Sequence, residues 1–416
     1  MRRLVVLLLT LCAGMWAQDT CQECHSALDG ALAAPAKLFA SDIHARHGFG
    51  CVDCHGGDAA QMDPELSMSP ARGFRGKFAR TAIPALCARC HSDAALIHKF
   101  KPQQRVDQLA QYKTSVHGQR LAAGDTAVAN CVDCHGVHDI REVRNALSSV
   151  YPLRLPETCA KCHADSQHMA EYGIATNQYA EYRESVHWKA VSEGGDLSAP
   201  TCASCHGNHG ATPPQVDSVA AVCGTCHVIM ENLYKESPHQ PVFEAMGMAG
   251  CMTCHGNHRV EHPTTELLAS DHAICTQCHE ADSAGGQTAR QMGELINGLS
   301  RELDEADQLL EVARQSGMEV SDALLRQHDA REALVKARVA VHAFRVSAVE
   351  EPVKEGRAIA AETLADGRAA LHEREVRRMG LGLSLVTILL VMAGLWLAIR
   401  RIEGKPETDA GASYGR

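Results

Sequence analysis

Aromatic side chains are scarce: three Trp, seven Tyr and seven Phe make up 4% of the 416 residues. The large rings that usually dominate a protein interior are therefore missing, and something else must fill it. A basic surplus is missing too. The formal net charge is −10, which removes the electrostatic footprint of a general nucleic-acid binder. Long apolar runs are absent except near the two ends. Unpaired cysteine is almost absent: 18 of the 19 Cys lie in one recurring frame. The remaining composition, 45% hydrophobic and 22% charged, is ordinary and excludes a wholly disordered or collagen-like chain.

The recurring frame is Cys-x-x-Cys-His, and it occurs nine times. The frames are Cys21/Cys24/His25, Cys51/Cys54/His55, Cys87/Cys90/His91, Cys131/Cys134/His135 and Cys159/Cys162/His163. They continue with Cys202/Cys205/His206, Cys223/Cys226/His227, Cys251/Cys254/His255 and Cys275/Cys278/His279. Each reads as a c-type haem attachment site, with two thiols for the porphyrin vinyl groups and an adjacent proximal imidazole for the iron. Structural zinc would need partnered Cys pairs, and nine is odd. A disulfide framework leaves the nine histidines without a role. Thioredoxin-like pairs would occur once per domain. The spacing therefore predicts nine covalently attached haem c groups.

After the first frame the region reads as four copies of a two-haem unit. Each copy opens on a free His, continues with Cys-x-x-Cys-His-Gly and closes with a second frame. The leading histidines are His44, His117, His187 and His239, three of them in near-identical Ser-x-His contexts (Ser115, Ser185, Ser237). Copies two to four extend the first site to Cys-His-Gly-x-His, adding His138, His209 and His258; copy one carries Gly57 and Asp58 there instead. These seven recurring histidines are distal-ligand candidates. His342 and His98 complete the set of nine, with His47, His168 and His272 as further possibilities. Of 24 histidines, nine are proximal, so 15 remain to saturate nine irons. Methionine ligation is disfavoured because no Met recurs with the repeat.

Segments outside the repeat set the context. Residues 1–17 carry Arg2 and Arg3, an apolar stretch and small residues ending at Ala17, the pattern of a secretory signal peptide. The unpaired Cys12 lies within it. Residues 18–286 form the nine-haem domain. Residues 287–378 contain no Cys, and Ile296, Leu299, Leu303, Ala306 and Leu310 recur at helical spacing. A second helix is expected to start near Ser321, acting as its N-cap, and to stop before Pro352, with Val335, Val339, His342, Val346 and Val349 on one face. A third should run on from about Val353. Residues 379–400 form an expected transmembrane helix, since the 381–399 stretch has no charge and is flanked by Arg377/Arg378 and Arg400/Arg401. Residues 401–416 would be a cytoplasmic tail.

The expected fold is mainly α with little regular structure around the haems. It is a multihaem cytochrome c domain built on stacked haems, followed by a helical hairpin or bundle and a C-terminal transmembrane helix. With about 29 residues per haem, polypeptide alone cannot supply a sufficient core. The porphyrins must do so.

On its nine attachment frames and its Ser-x-His and Cys-His-Gly-x-His repeats, residues 21–279 resemble the membrane-anchored multihaem c-type cytochromes of bacteria. The helices after the last frame also look like the C-terminal helices of octahaem hydroxylamine-oxidising cytochromes. The resemblance implies an inner-membrane protein with its haem domain in the periplasm. Such a protein would pass electrons between quinone-linked donor complexes and periplasmic redox proteins through bis-His haems. The competing expectation is an oxidoreductase with one open-site haem acting on a small nitrogen or sulfur oxyanion or on hydroxylamine. No Cys-x-x-Cys-Lys frame, the variant expected at an ammonia-forming nitrite reductase haem, is present. No catalytic residue is nominated, and the oligomeric state stays open.

Overall fold

The computed structural model describes residues 19–213, 216–270 and 273–404, so the expected signal segment with Cys12, the His272 position and the tail beyond residue 404 lie outside the described residues. Every described element is an α-helix or a 3-10 turn. Two compact units form. One runs to Cys226 and takes in Met248–His262; the other comprises His227–Gly247 and the chain from Pro263 onward.

In the first unit the helices are short, as intervals crowded with Gly and Pro dictate. Attachment frames sit on helical turns because a spacing of three puts both sulfurs on one face. Frames lie on Thr20–Ser26, Cys51–His55, Ile83–His91, Cys131–His135, Leu155–His163 and Cys202–His206. The seventh begins on the 3-10 turn Cys223–Thr225, and the eighth occupies Gly250–His255. The ninth departs from the helical pattern: Cys275 lies in the 3-10 turn Ile274–Gln277, and Cys278 follows that turn as its cap. The intervening residues of several frames cap their own helix. Asp53 accepts from the Gly50 N–H at 2.6 Å, Asp133 from the Asn130 N–H at 2.7 Å, and Ser204 from the Thr201 N–H at 3.0 Å.

Each of these five-residue helices then stops at once, because the following glycine takes a positive φ, +69° at Gly56 and +82° at Gly136. A Cβ at Gly56 would stand 2.1 Å from the Gly73 carbonyl oxygen, so only glycine fits there.

Apolar packing in this unit is thin. Among the described residues its one cluster of buried apolar side chains is Tyr182, Trp188 and Val191.

The second unit is different in kind. Three helices, Ala284–Gln315, Ser321–Ala340 and Val346–Glu403, pack side by side. The expected stripe Ile296, Leu299, Leu303, Ala306 and Leu310 is fully buried along the first of them. It meets Ala330, Ala333, Leu334 and Ala337 from the second and Val349, Val353 and Ala360 from the third. Close approach is secured by Gly356, where a Cβ would lie 2.9 Å from Leu299 and 3.1 Å from Ala333.

Several local expectations change. Ser321 is the first helical residue rather than the cap, which is Val320. The second helix ends at Ala340; a 3-10 turn, Val341–Ala343, and Phe344 at φ +51° then reverse the chain. The third helix therefore starts at Val346, and Pro352 lies inside it rather than before it. Its ring removes one backbone N–H from the ladder, and the packed helices on either side hold the segment in place. Val335, His342 and Val346 consequently do not share one helical face, and Val335 is exposed. The last turns of the third helix carry the apolar run, exposed throughout, with a mean hydropathy of 2.4 over the best 18-residue window. One long apolar C-terminal helix of this length fits a single-pass membrane anchor.

Candidate haem sites

The first eight attachment frames follow one another in space in the order of the chain. The thiol of Cys21 lies within electrostatic reach of Cys51, and Cys54 within reach of Cys87 and Cys90. Cys87 neighbours Cys131; Cys134 neighbours Cys159 and Cys162; Cys159 neighbours Cys202. Cys205 neighbours Cys226, and Cys223 neighbours Cys251. Two joints alternate through the first eight frames. Odd frames meet the next even frame through their first cysteines, and even frames meet the next odd frame through their second.

Not every nominated thiol enters this succession in the same way. The second thiols of the two terminal frames, Cys24 and Cys278, are exposed, and each acts on the first thiol of its own frame, Cys21 and Cys275 respectively. The second thiols of the second and seventh frames, Cys54 and Cys226, are exposed as well, so exposure does not mark the first and last frames. Cys254, in the eighth frame, is half-buried on Gly250–His255. All eighteen frame cysteines, Cys24, Cys254 and Cys278 included, are free thiols rather than disulfides, as thioether attachment requires.

The histidines come together in pairs. His91 faces His44 with ring centroids 6.0 Å apart, and His163 faces His117 at 6.1 Å. His279 faces His239 at 5.9 Å. His55 faces His138 at 6.1 Å, His135 faces His209 at 6.2 Å, and His206 faces His258 at 6.1 Å. A metal–imidazole bond of about 2 Å and a ring centre about 1 Å beyond the nitrogen put two trans imidazoles on one ion roughly 6 Å apart. All six pairs have that separation. Among the described residues no group of three or more His, Cys, Asp or Glu converges tightly enough to hold an ion alone. The donor set thus suits an iron that brings its own planar ring and needs only two axial nitrogens.

The pairing crosses the repeats. Each of these leading histidines stands opposite the second frame of its own copy: His44 with His91, His117 with His163, His239 with His279. Each Gly-x-His histidine instead reaches back to the first frame of the preceding copy: His138 with His55, His209 with His135, His258 with His206. Consecutive copies are thereby interlocked. The classes also differ in ring orientation. Leading-histidine pairs cross steeply, at 88°, 61° and 89°, whereas Gly-x-His pairs lie near parallel, at 23°, 14° and 23°.

Local structure explains both positions. In the first three copies a buried carboxylate or hydroxyl caps the helix that carries the leading histidine: Asp42 Oδ1 accepts from the His44 N–H at 2.8 Å, Ser115 Oγ from the Gly118 N–H at 3.0 Å, and Ser185 Oγ from the Trp188 N–H at 3.1 Å. In two copies the residue before the histidine donates back to the loop after a Gly-x-His. The Ile43 N–H bonds the Ile140 carbonyl at 2.7 Å, and the Val186 N–H bonds the Val260 carbonyl at 2.8 Å. His138 itself sits at φ +64°.

Ring nitrogens on the far side are fixed by backbone carbonyls, His25 Nδ1 on Leu32 at 2.9 Å and His55 Nδ1 on Arg75 at 3.0 Å. Burial, helped by His209 and His91, pushes His135 down to about 4, and burial likewise lowers His91, His117, His138, His163, His206, His209 and His239. These rings are neutral near pH 7, the state a metal-ligating imidazole requires.

The other nominated residues fall elsewhere. His187 opens the helix Val186–Ser192 in the same Ser-capped frame. His342 lies in the 3-10 turn Val341–Ala343 with its Nδ1 2.9 Å from the Val339 carbonyl. His98 is exposed on Ala94–Phe100, and its Nε2 lies 3.1 Å from the Gln104 carbonyl. His47 packs edge-on against Phe100, and His168 lies against Tyr172. Sequence reasoning passed over Asp42. It occupies the position that Ser115, Ser185 and Ser237 hold in the other copies, and aligning the copies two residues upstream of each leading histidine exposes it.

A family model described as Cytochrome c3 matches residues 43–164. The C-type polyheme cytochrome OmcC of Geobacter sulfurreducens is 26% identical over 211 residues, 45% of this chain and 25% of that protein. The chain thus spans about a quarter of that relative's length. No solved structure matches it.

Proposed function

We propose that this chain, a multihaem c-type cytochrome, is an electron carrier with nine haems, each held by two histidines and each attached through one Cys-x-x-Cys-His frame. Covalently bound haem c would supply one-electron redox chemistry at each site. The residues do the rest. Thiols would fix each group to its turn, paired imidazoles would hold its iron, and carbonyls on the outer ring nitrogens, as at His25 and His55, would hold tautomer and orientation. His44, His117, His138, His209, His239 and His258 are the axial partners of His91, His163, His55, His135, His279 and His206, with His187, His342 and His98 candidates for the rest. The observation that carries the reading is the common 5.9–6.2 Å separation of six imidazole pairs. Two protein ligands on an iron leave no position for substrate, which favours conduction over bond chemistry.

The sequence-ordered chain of neighbouring frames supports a path running along the polypeptide. The C-terminal helix supports a membrane-anchored protein. The exported haem domain, inner-membrane location, cytoplasmic tail, quinone-linked donors and periplasmic acceptors belong to the proposal. Paramagnetic resonance of the oxidised protein tests it: low-spin signals in two populations are expected, one from near-parallel and one from steeply crossed imidazoles. A strong high-spin ferric signal, or carbon monoxide binding to most of the reduced haem, would point to open-site chemistry instead.

A further inference from the structure

Asp42 stands out among the four equivalent positions two residues before the leading histidines. Ser115, Ser185 and Ser237 are buried there, and each carries a hydroxyl. In the first copy the position carries a carboxylate, only 1% exposed. One oxygen, Oδ1, accepts from the His44 backbone N–H at 2.8 Å and lies 2.8 Å from His44 Nδ1. The other, Oδ2, accepts from the Ile140 N–H at 2.8 Å. Both oxygens are committed, so the carboxylate cannot swing away from the ring. The contrast with the fourth copy is sharp: His239 Nδ1 is buried without a hydrogen-bond partner, and Ser237 Oγ accepts the His239 backbone N–H at 3.3 Å.

We propose that Asp42 is a positioning residue that tunes the redox site formed by His44 and His91, making it a lower-potential site than its counterparts in the other copies. This rests on the reading that His44 and His91 share one iron. With Nε2 toward the iron, His44 Nδ1–H donates to a fixed carboxylate. That hydrogen bond draws the proton outward, enriches the ring in electron density and strengthens donation to ferric iron over ferrous iron. A serine hydroxyl cannot do this, because it caps the helix without reaching the ring as an anion. An imidazole whose Nδ1 finds no acceptor, as at His239, is a weaker donor than His44. The carboxylate–histidine pair therefore ranks the His91 site below the His279 site in potential.

The test uses the full-length, haem-loaded protein in detergent. Asp42→Ser installs the hydroxyl that the other three copies carry, and Asp42→Asn keeps the shape without the charge. Haem content is counted first; then reduction is followed optically against applied potential. In both variants one component of the titration is expected to move to higher potential, so that at a fixed potential its reduced-to-oxidised ratio rises several-fold while the other components stay in place. Ser115→Asp, which brings a carboxylate beside His117, is expected to move a different component the opposite way. A purely structural cap would not lower the potential of a second site.

Full haem loading with unmoved midpoints would overturn the proposal. So would loss of the haem from both Asp42 variants, which would make Asp42 a folding residue only. The underlying pairing is tested separately by His44→Ala. Unchanged low-spin signals and full loading in that variant would show that His44 is no ligand, whereas failure of the Asp42 inference alone leaves the wild-type His44 signal intact and the potential fixed.

Discussion

The two ends of the described chain solve the same problem with different material. From Ala284 onward the polypeptide buries Leu299, Leu303, Leu310, Ala330, Ala337 and Val349 at 0% exposure and holds itself together as an ordinary helical protein does. The part leading to His262 buries one small cluster around Trp188 and instead brings thiols and imidazoles to face one another. A chain that lacks aromatic side chains can still build an interior when covalent rings are supplied from outside. The helices need no such help. Stability in one region is a property of the sequence, and in the other a property of the sequence plus its prosthetic groups.

The comparison can be broken most forcefully by withholding haem. In protein made without haem attachment, backbone amides between residues 19 and 262 should exchange at nearly unfolded rates, while those in Ala284–Gln315 and Ser321–Ala340 stay protected. Hydrogen exchange read by mass spectrometry distinguishes the two. Protection throughout would mean the haem region has a core of its own.

A smaller effect comes from the other side. Leu303→Ala removes a fully buried side chain from the centre of the helical cluster and should cost about 2–5 kcal/mol of that unit's stability, with haem content unchanged. Denaturant unfolding followed by far-ultraviolet dichroism checks it.

Smaller still is Thr363→Val. Thr363 donates to Gln327 Oε1 at 2.8 Å, while Gln327 Nε2 donates to the Leu303 carbonyl at 3.0 Å, all of it buried. Leaving the Gln327 oxygen without a donor should cost about 1–3 kcal/mol by the same measurement.

Much of this was legible in the chain. The nine frames could be found by eye, because covalent attachment demands fixed spacing whatever the surrounding fold. The apolar stripe from Ile296 to Leu310 was equally plain, since helical periodicity and burial agree there. What the spacing could not say is that Cys24, Cys54, Cys226 and Cys278 stand exposed while Cys254 is half-buried, since exposure depends on how the chain packs around each frame. The pairing of histidines was not legible either. A Gly-x-His in one copy stands opposite a frame in the copy before, and nothing in the spacing of His138 says that it reaches back 83 positions to His55 rather than to a haem nearby. Asp42 was hidden for a related reason. It reads as one more acidic surface residue until the helix cap and the Ile140 loop close around it. Pro352 misled because a proline breaks an isolated helix, yet here the reversal at Phe344 had already ended the second helix.

The central claim is that attached porphyrins are what the first region is built around. Counting haem per chain by pyridine haemochrome, together with the intact mass of the covalently loaded polypeptide, tests it most directly. Nine haems on every chain is the expected result. A folded, stable protein carrying two or three would contradict the account.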